Sequence, residues 1–181
     1  MAASHGPAVS RWNLLPALSY DEARVRVERM HERRAAGTAG VWAIARVDGG
    51  EVVGPAAWIG TDLDRGNAET AYWVLPAGRG GGIAAEAARR LSRWALDNVG
   101  LHRLTPCHSV ADPASCRVAA KAGFALEGTM RGALLHTDGW HDQHLPRVRA
   151  GARRVNPSGR GRRRPRKSGC RHPPPAPTVI R

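Results

Sequence analysis

The residues best suited to bind an anion lie in the stretch "YWVLPAGRGGGIAAEAARR", residues 72–90. A strand-like apolar run ends at Pro76, glycines dominate positions 78–82 around Arg79, and an alanine-rich helical pattern follows. The first N–H groups of a helix have no partner within it, and glycines let a phosphate approach the backbone. The stretch therefore predicts an anion site on a strand–turn–helix unit, with a simple tight connector as the alternative.

Two common phosphate-binding loops fit this turn poorly. A Walker A loop requires Gly-Lys followed by Ser or Thr, and the sequence contains none. Gly80, Gly82 and Ala85 satisfy the dinucleotide pattern G-x-G-x-x-A formally. Against that pattern, no acidic residue closes a following strand about 20 positions on, and the preceding strands resemble antiparallel hairpins. The turn alone predicts an anion site without naming the anion.

The elements before the turn are a helix and three strands. A helix is predicted from Ser19 to Gly37, because Ser19 and Glu22 have the spacing of a capping box. Its apolar face comprises Ala23, Val27 and Met30. Two apolar runs around "DGG" at 48–50 predict a hairpin, and Pro55 in the second run predicts an edge strand or a bulge. "AETAYWVLP" is a third strand.

The elements after the turn are a helix, a strand, a second helix and a pair of strands. The stripe that predicts an amphipathic helix ending at Gly100 consists of Ile83, Ala87, Leu91, Ala95 and Val99. A strand, "LHRLTPCHSV", is interrupted by Pro106. A second helix begins at Asp112 as N-cap and ends at Gly123. "FALEGTMRGALLHTDGWHDQHLPRV" predicts a closing pair of strands.

Most of the excess positive charge belongs to the C-terminal segment. The net charge is +13, but residues 1–150 hold 18 basic and 15 acidic residues, a net of +3. Residues 151–181 are rich in Arg, Pro and Gly and are predicted to be a disordered tail after one folded domain. A solvated tail, a weak nonspecific contact with RNA or the ribosome, and a shifted reading frame are the alternatives for it.

Two motifs in the right order carry a family resemblance. Val74 and Pro76 are followed by Arg79, Gly82 and Ala84 in the frame R/Q-x-x-G-x-G/A. This pattern resembles the acetyl-CoA pyrophosphate loop of the GNAT acyltransferase superfamily. The later "DPASCRVAAKAGFALEG" resembles the N-P-x-S-x-R-x-x-x-K-x-G-F-x-x-E-G segment of the RimJ/RimL branch. The resemblance runs from about residue 12 to residue 149. Two motifs in order are much more specific than either alone.

The resemblance implies an α/β fold with a mixed, mostly antiparallel sheet and helices on both faces. The sheet would split beside "AYWVLP", and the usual first strand would be missing. Acetyl-CoA would enter the split as cosubstrate. Its pantetheine arm would contact Trp73, Val74 and Leu75, and its pyrophosphate Arg79, Gly80, Gly81, Gly82, Ile83 and Ala84. Asp112, where relatives carry Asn, and Ser115 would lie near the thioester.

Direct acetyl transfer needs a base for the amine and a proton for the leaving thiolate. By likeness to relatives Glu69 is the candidate base, with a surface carboxylate as the alternative. His108 is a second candidate, because imidazole titrates in the useful range. Many relatives use a tyrosine beyond the second motif as the acid, but Tyr20 and Tyr72 both precede it here. Ser115 or water is therefore expected in that role.

The resemblance predicts an N-acetyltransferase that acts on a primary amine of a protein N-terminus or a small molecule. A catalytically inactive acyl-CoA-binding or RNA-binding relative is the alternative. No metal is expected, because the group of His136, His141, Asp142 and His144 fits no helical or tight-turn spacing. Three cysteines without a CxxC spacing predict reduced thiols. Lacking an apolar run near 18 residues and a signal-peptide pattern, the chain is expected in the cytoplasm, as a monomer or homodimer.

Overall fold

A computed structural model of the chain describes residues 10–12, 18–151 and the backbone of 179–180. Its helices are α1 (Tyr20–Ala35), α2 (Ile83–Trp94) and α3 (Pro113–Ala122), and α2 continues into a π-helical turn, Ala95–Val99. A short 3-10 turn covers Pro76–Gly78. The strands are β1 (Gly40–Ala45), β2 (Val52–Asp62), β3 (Asn67–Tyr72), β4 (Arg103–Pro106), β5 (His108–Ser109), β6 (Ala125–His136), β7 (Gly139–Arg149) and β8 (Val179–Ile180).

The helix starts follow the capping signals of the sequence. Ser19 and Glu22 form a reciprocal capping box at α1, with backbone-to-side-chain distances of 2.7 and 3.3 Å. Asp112 caps α3 through its carboxylate. The predicted apolar face of α1 is wrong in part, because Val27 is largely exposed and no residue of this helix is fully buried. Local signals thus begin α1 correctly, while the burial of one face depends on neighbours that the pattern does not reveal.

The strands form one open sheet in the order β5-β7-β4-β3-β2-β1-β8, with β6 paired to β7. The pairs β1–β2, β2–β3, β4–β7, β5–β7 and β6–β7 are antiparallel, whereas β3–β4 and β1–β8 are parallel. This arrangement confirms the predicted mixed, mostly antiparallel sheet. The crossover from β3 to the parallel β4 is made by α2, which begins at the glycine turn.

Pro55 lies in the interior of the sheet rather than at its edge. It pairs with Ala43 on β1, and its carbonyl accepts a hydrogen bond from the Trp73 N–H at 3.3 Å. The register between β1 and β2 shifts beside Val53, two residues before the proline. Of the two alternatives predicted for Pro55, the edge is therefore wrong and the bulge is confirmed.

The core lies between the sheet and the two helices α2 and α3. Its buried members from the sheet and the loop before β4 include Ile44, Val53, Ala56, Ala68, Leu101 and Leu104, and those from the helices include Ala87, Ala88, Leu91 and Ala119. Trp42, Trp58 and Trp94 cluster beside them, with the rings of Trp58 and Trp94 stacked at 5.1 Å. The apolar stripe predicted for α2 is thus the stripe that packs on the sheet.

The predicted tail, including most of its basic residues, lies largely outside the described residues. Its described parts are Gly151 and the backbone of Val179 and Ile180. That backbone pairs in parallel with Ala43 and Ile44 on β1. Across the described ranges, no helix is both long and apolar enough to cross a membrane.

Candidate active site

The sheet opens beside β3. β3 and β4 pair from Asn67↔Arg103 as far as Thr70↔Pro106. Beyond Pro106 the chain continues as β5, which pairs with β7 instead. The segment after Thr70 therefore keeps β2 as a neighbour on one side and faces an opening, which we call the split, on the other.

The wall of the split is the extended segment Trp73–Leu75. The N–H groups of Trp73 and Leu75 donate to carbonyls of Pro55 and Val53 on β2, at 3.3 and 2.7 Å. Because successive backbone groups of an extended strand point to opposite sides, the N–H and carbonyl of Val74 point toward the split. The Val74 carbonyl accepts a hydrogen bond from Arg79 Nε at 3.2 Å. This contact links the wall to the glycine turn.

The glycine turn presents open backbone at the start of α2. Gly80 and Gly82 have φ of +94° and +75°, a region that favours glycine, and a Cβ on either would meet nothing within 4 Å. The first helical hydrogen bond runs from the Glu86 N–H to the Gly82 carbonyl. The N–H groups of residues 83–85 therefore precede the helical ladder and point out of the helix end. The turn has the geometry of an anion site.

A cleft of about 560 Å³ adjoins the glycine turn. Its walls are the turn, the first two turns of α2 and the β1–β2 hairpin, and among the predicted cofactor residues Arg79, Gly81 and Ile83 line it. Two acidic residues in the walls are paired with arginines, Asp48 with Arg46 and Glu86 with Arg90. The cleft therefore extends the anion site away from the split, and the residues predicted for catalysis do not line it.

Glu69 is half-buried on β3 and contacts Cys107, which lies between β4 and β5. Burial raises the pKa of Glu69, and a hydrogen bond with Cys107 partly opposes that rise. The pKa of Cys107 is raised to about 12, first by burial and next by the Glu69 charge, and Gln143 also contacts this thiol. A carboxylate with a raised pKa at the edge of a split has the property that a general base requires.

His108 does not join Glu69. The adjacent Cys107 contacts Glu69, and because successive side chains of an extended segment point to opposite faces, His108 lies on the other face of the sheet. There it lies opposite His144, with the rings 5.4 Å apart, beside Cys116 of α3. The two bases predicted from the sequence, Glu69 and His108, therefore lie on opposite faces of the sheet.

Ser115 and Asp112 form the first turn of α3. The Ser115 hydroxyl donates to Asp112 Oδ2 at 2.6 Å, and Asp112 Oδ1 accepts from the N–H groups of Ala114 and Ser115. The Ser115 proton is thus directed to a buried carboxylate. This bond accounts for Ser115 as a polar residue of the first helical turn that bonds to the N-cap, and it weakens the argument for Ser115 as an acid.

Tyr72 was missed as a site residue because it precedes the second motif in the sequence. In the structure its hydroxyl lies 3.5 Å from the Ser115 carbonyl, under the first turn of α3. Burial raises its pKa, and the charges of Asp112 and Cys116 raise it further. The hydroxyl therefore keeps its proton at neutral pH. The alternation of Thr70, Tyr72 and Val74 on one face of the third strand was the signal that could have found it.

Comparisons with known proteins agree with this geometry. The family model described as "Acetyltransferase (GNAT) domain" matches residues 2–125. "Putative ribosomal N-acetyltransferase YdaF" of Bacillus subtilis (strain 168) is 34% identical over 82 residues, which are 44% of this chain and 44% of that protein. The match therefore spans less than half the length of that curated relative.

Solved structures show the same fold. RimJ of Mycobacterium smegmatis, in complex with CoA-disulfide, is 24% identical with a TM-score of 0.70, over 79% of this chain and 71% of that one. The ribosomal-protein-S5-alanine acetyltransferase of Vibrio fischeri is 18% identical with a TM-score of 0.72, over 81% and 82%. The split sheet with a glycine turn is thus an acetyltransferase fold. Since the family match covers more than two thirds of the residues, the chain belongs to the GNAT acetyltransferase family, as its motifs predicted.

Proposed function

We propose that this chain transfers the acetyl group of acetyl-CoA to a primary amine by direct attack. The observation that carries the proposal is the alignment of the glycine turn with the split: one strand leads from a half-buried Glu69 to the open N-terminus of α2. The anion site at one end of this strand would hold the phosphates of CoA. The candidate base at the other end would accept the proton of the attacking amine.

Acetyl-CoA would lie along the wall of the split. Its pyrophosphate would accept hydrogen bonds from backbone N–H groups of residues 80–84, with Arg79 beside them. The pantetheine arm would run along Trp73–Leu75 and bond to backbone in the manner of a strand. The Val74 N–H, which points toward the split, is positioned by its strand to polarise a carbonyl oxygen of the arm or of the thioester.

Glu69 would act as the base. The amine nitrogen attacks the thioester carbon while its proton passes to the Glu69 carboxylate, directly or through water. The carbon–sulfur bond then breaks and the electron pair leaves on sulfur. Because the raised pKa of Glu69 lies above the ordinary glutamate range, the carboxylate has more affinity for that proton than an exposed one.

Tyr72 is the better candidate for returning a proton to the thiolate. Its hydroxyl lies at the first turn of α3 and carries a proton at neutral pH, so a proton is available there when the thiolate leaves. Ser115 donates its own proton to Asp112. We therefore expect Tyr72→Phe to reduce turnover more than Ser115→Ala does, with acetyl-CoA affinity little changed by the tyrosine variant.

The test of the proposal is CoA release by the wild type and by Glu69→Gln, with Glu51→Gln as a control at an exposed turn carboxylate. We expect Glu69→Gln to lower kcat by about 10²–10⁴-fold. The wild-type rate rises with pH as Glu69 loses its proton, and this rise is lost in the variant. An unchanged rate and pH profile in Glu69→Gln would remove it as the base.

We further propose a protein N-terminus as the acceptor. The curated relative is named a putative ribosomal N-acetyltransferase, and one structural neighbour is named a ribosomal-protein-S5-alanine acetyltransferase. Peptides beginning with alanine or serine should be acetylated faster than spermidine or aminoglycosides. Saturable acetyl-CoA binding without CoA release on any acceptor would favour the inactive alternative instead.

A further inference from the structure

A cluster of three metal-binding side chains lies under α3, beside Tyr72 and on the sheet face opposite Glu69. It consists of His108 on β5, Cys116 on α3 and His144 on β7, with one ligand atom of each within 4.8 Å of the others. Cys116 Sγ is 3.2 Å from His144 Nδ1. Each residue stands on a regular element, so the arrangement is fixed by strand pairing and helix packing rather than by a loop.

The strand register brings the two histidines together. His108 and His144 are direct partners in the antiparallel pair of β5 and β7, so their side chains project from the same face. Cys116 follows the N-cap Asp112 by one turn and lies over that face. The cluster therefore has two imidazoles below and one sulfur above.

His108 supplies a second observation that points to a ligand. Its side chain is more than nine-tenths buried, and within the described part of the chain its Nδ1 has no hydrogen-bond partner. A buried nitrogen without a partner is costly, and a cation bound there would satisfy its lone pair.

We propose that His108, Cys116 and His144 bind a zinc ion. One sulfur and two imidazole nitrogens are the donors that zinc prefers, whereas calcium and magnesium require oxygen. Tetrahedral zinc with such ligands holds their atoms roughly 3.5 Å apart. The Cys116–His144 distance is already in that range, and the 4.8 Å limit of the cluster leaves about 1 Å of closure.

Binding balances as a proton exchange. The Cys116 thiol loses its proton to solvent as the sulfur–zinc bond forms, and both imidazoles bind through neutral nitrogens. Asp112, the N-cap of α3 one turn before Cys116, supplies a negative charge that would offset the remaining positive charge of the ion. Three protein ligands leave a fourth position for water. Zinc would join α3 to β5 and β7 on the far side of the split from β3.

The test is a titration of the full-length, chelator-treated protein with Zn²⁺ and with Co²⁺ as a spectroscopic probe. We expect one tight Zn²⁺ equivalent and a cobalt–thiolate charge-transfer band in the wild type. Cys116→Ser should lose the band and bind Zn²⁺ at least ~100-fold more weakly, because even an outer-shell change costs up to about that factor. Cys107→Ser, at the half-buried thiol that contacts Glu69, is the matched control and should bind as the wild type does.

A second variant guards against misfolding. His144→Gln should weaken zinc binding while its thermal unfolding in chelator stays close to that of the wild type in chelator. If the wild type binds no zinc, the thiol and imidazole form only a hydrogen bond and the proposal is wrong. A cobalt–thiolate band that persists in Cys116→Ser would place the site on another cysteine and equally overturn it.

Discussion

Gly54 lies on β2 against the wall of the split, and adding one methyl group there should disturb acetyl-CoA binding. A Cβ on Gly54 would lie 2.1 Å from the Trp73 carbonyl oxygen and 3.1 Å from Val74 Cα. Real Cβ contacts essentially never fall below 3.0 Å, so the backbone of residues 73–74 must retreat by about 1 Å in Gly54→Ala. The neighbour is main chain and cannot rotate aside as a side chain could.

The displacement should change two quantities, the free energy of unfolding and the catalytic efficiency. Forcing a methyl group into packed structure costs about 1–3 kcal/mol of unfolding free energy. A misplacement of about 1 Å in a positioning element lowers catalytic efficiency by about 10²-fold. Because Trp73–Leu75 would carry the pantetheine arm, the affinity for acetyl-CoA should fall as well.

The assay is calorimetric titration with acetyl-CoA, together with thermal unfolding and CoA release. Gly49→Ala is the matched control, since its Cβ meets nothing within 4 Å in the β1–β2 turn and no left-handed φ is required there. We expect the control to bind as the wild type does. If Gly54→Ala binds acetyl-CoA within twofold of Gly49→Ala, the segment does not form the pantetheine wall and the reasoning fails.

Two other substitutions, Gly82→Val and Arg79→Glu, test the glycine turn through the affinity for acetyl-CoA, and each has a matched control. Gly82→Val and Gly100→Val occupy left-handed positions at the two ends of the helical stretch, with φ of +75° and +83°, so each should lose about 1–3 kcal/mol of stability. Only Gly82→Val should weaken binding, and equal affinities for both would count against the turn. Arg79→Glu should weaken binding by about 10–100-fold, the worth of a hydrogen bond to a charged group, whereas Arg93→Glu on an exposed position of α2 should not. Similar losses in both charge reversals would indicate a general effect of net charge.

Local chemistry made much of this fold predictable. The capping box at Ser19, the N-cap at Asp112 and the glycine stop at Gly123 each depend on residues within four positions, and all three are confirmed. The strand–turn–helix unit is equally local, because it is set by apolar spacing and by glycines with positive φ. Where one short segment fixes the conformation, its sequence is sufficient.

The contacts between distant segments were not predictable in the same way. Glu69 contacts Cys107 only because β3 and β4 are neighbours in the sheet, and Gln143 reaches the same thiol because β7 pairs with β5. The His144–Cys116 contact joins residues 28 positions apart. Tyr72 was discounted by its order in the chain, although β3 carries it under α3. Register decides which side chains share a face, and a one-residue change of register would separate each of these groups.

The position of the split itself has a cause in two prolines. The pairs Leu104↔Val148 and His108↔His144 belong to one antiparallel register, which sets Pro106 opposite Pro146. Neither proline has an N–H to donate, so the ladder between β4 and β7 is interrupted at this point and resumes as β5 and β7. The last pair of β3 with β4 also contains Pro106. Pro106 therefore ends strand pairing on both of its sides, at the place where acetyl-CoA is proposed to enter. Because β5 no longer pairs with β3, it carries His108 away from β3 and toward α3.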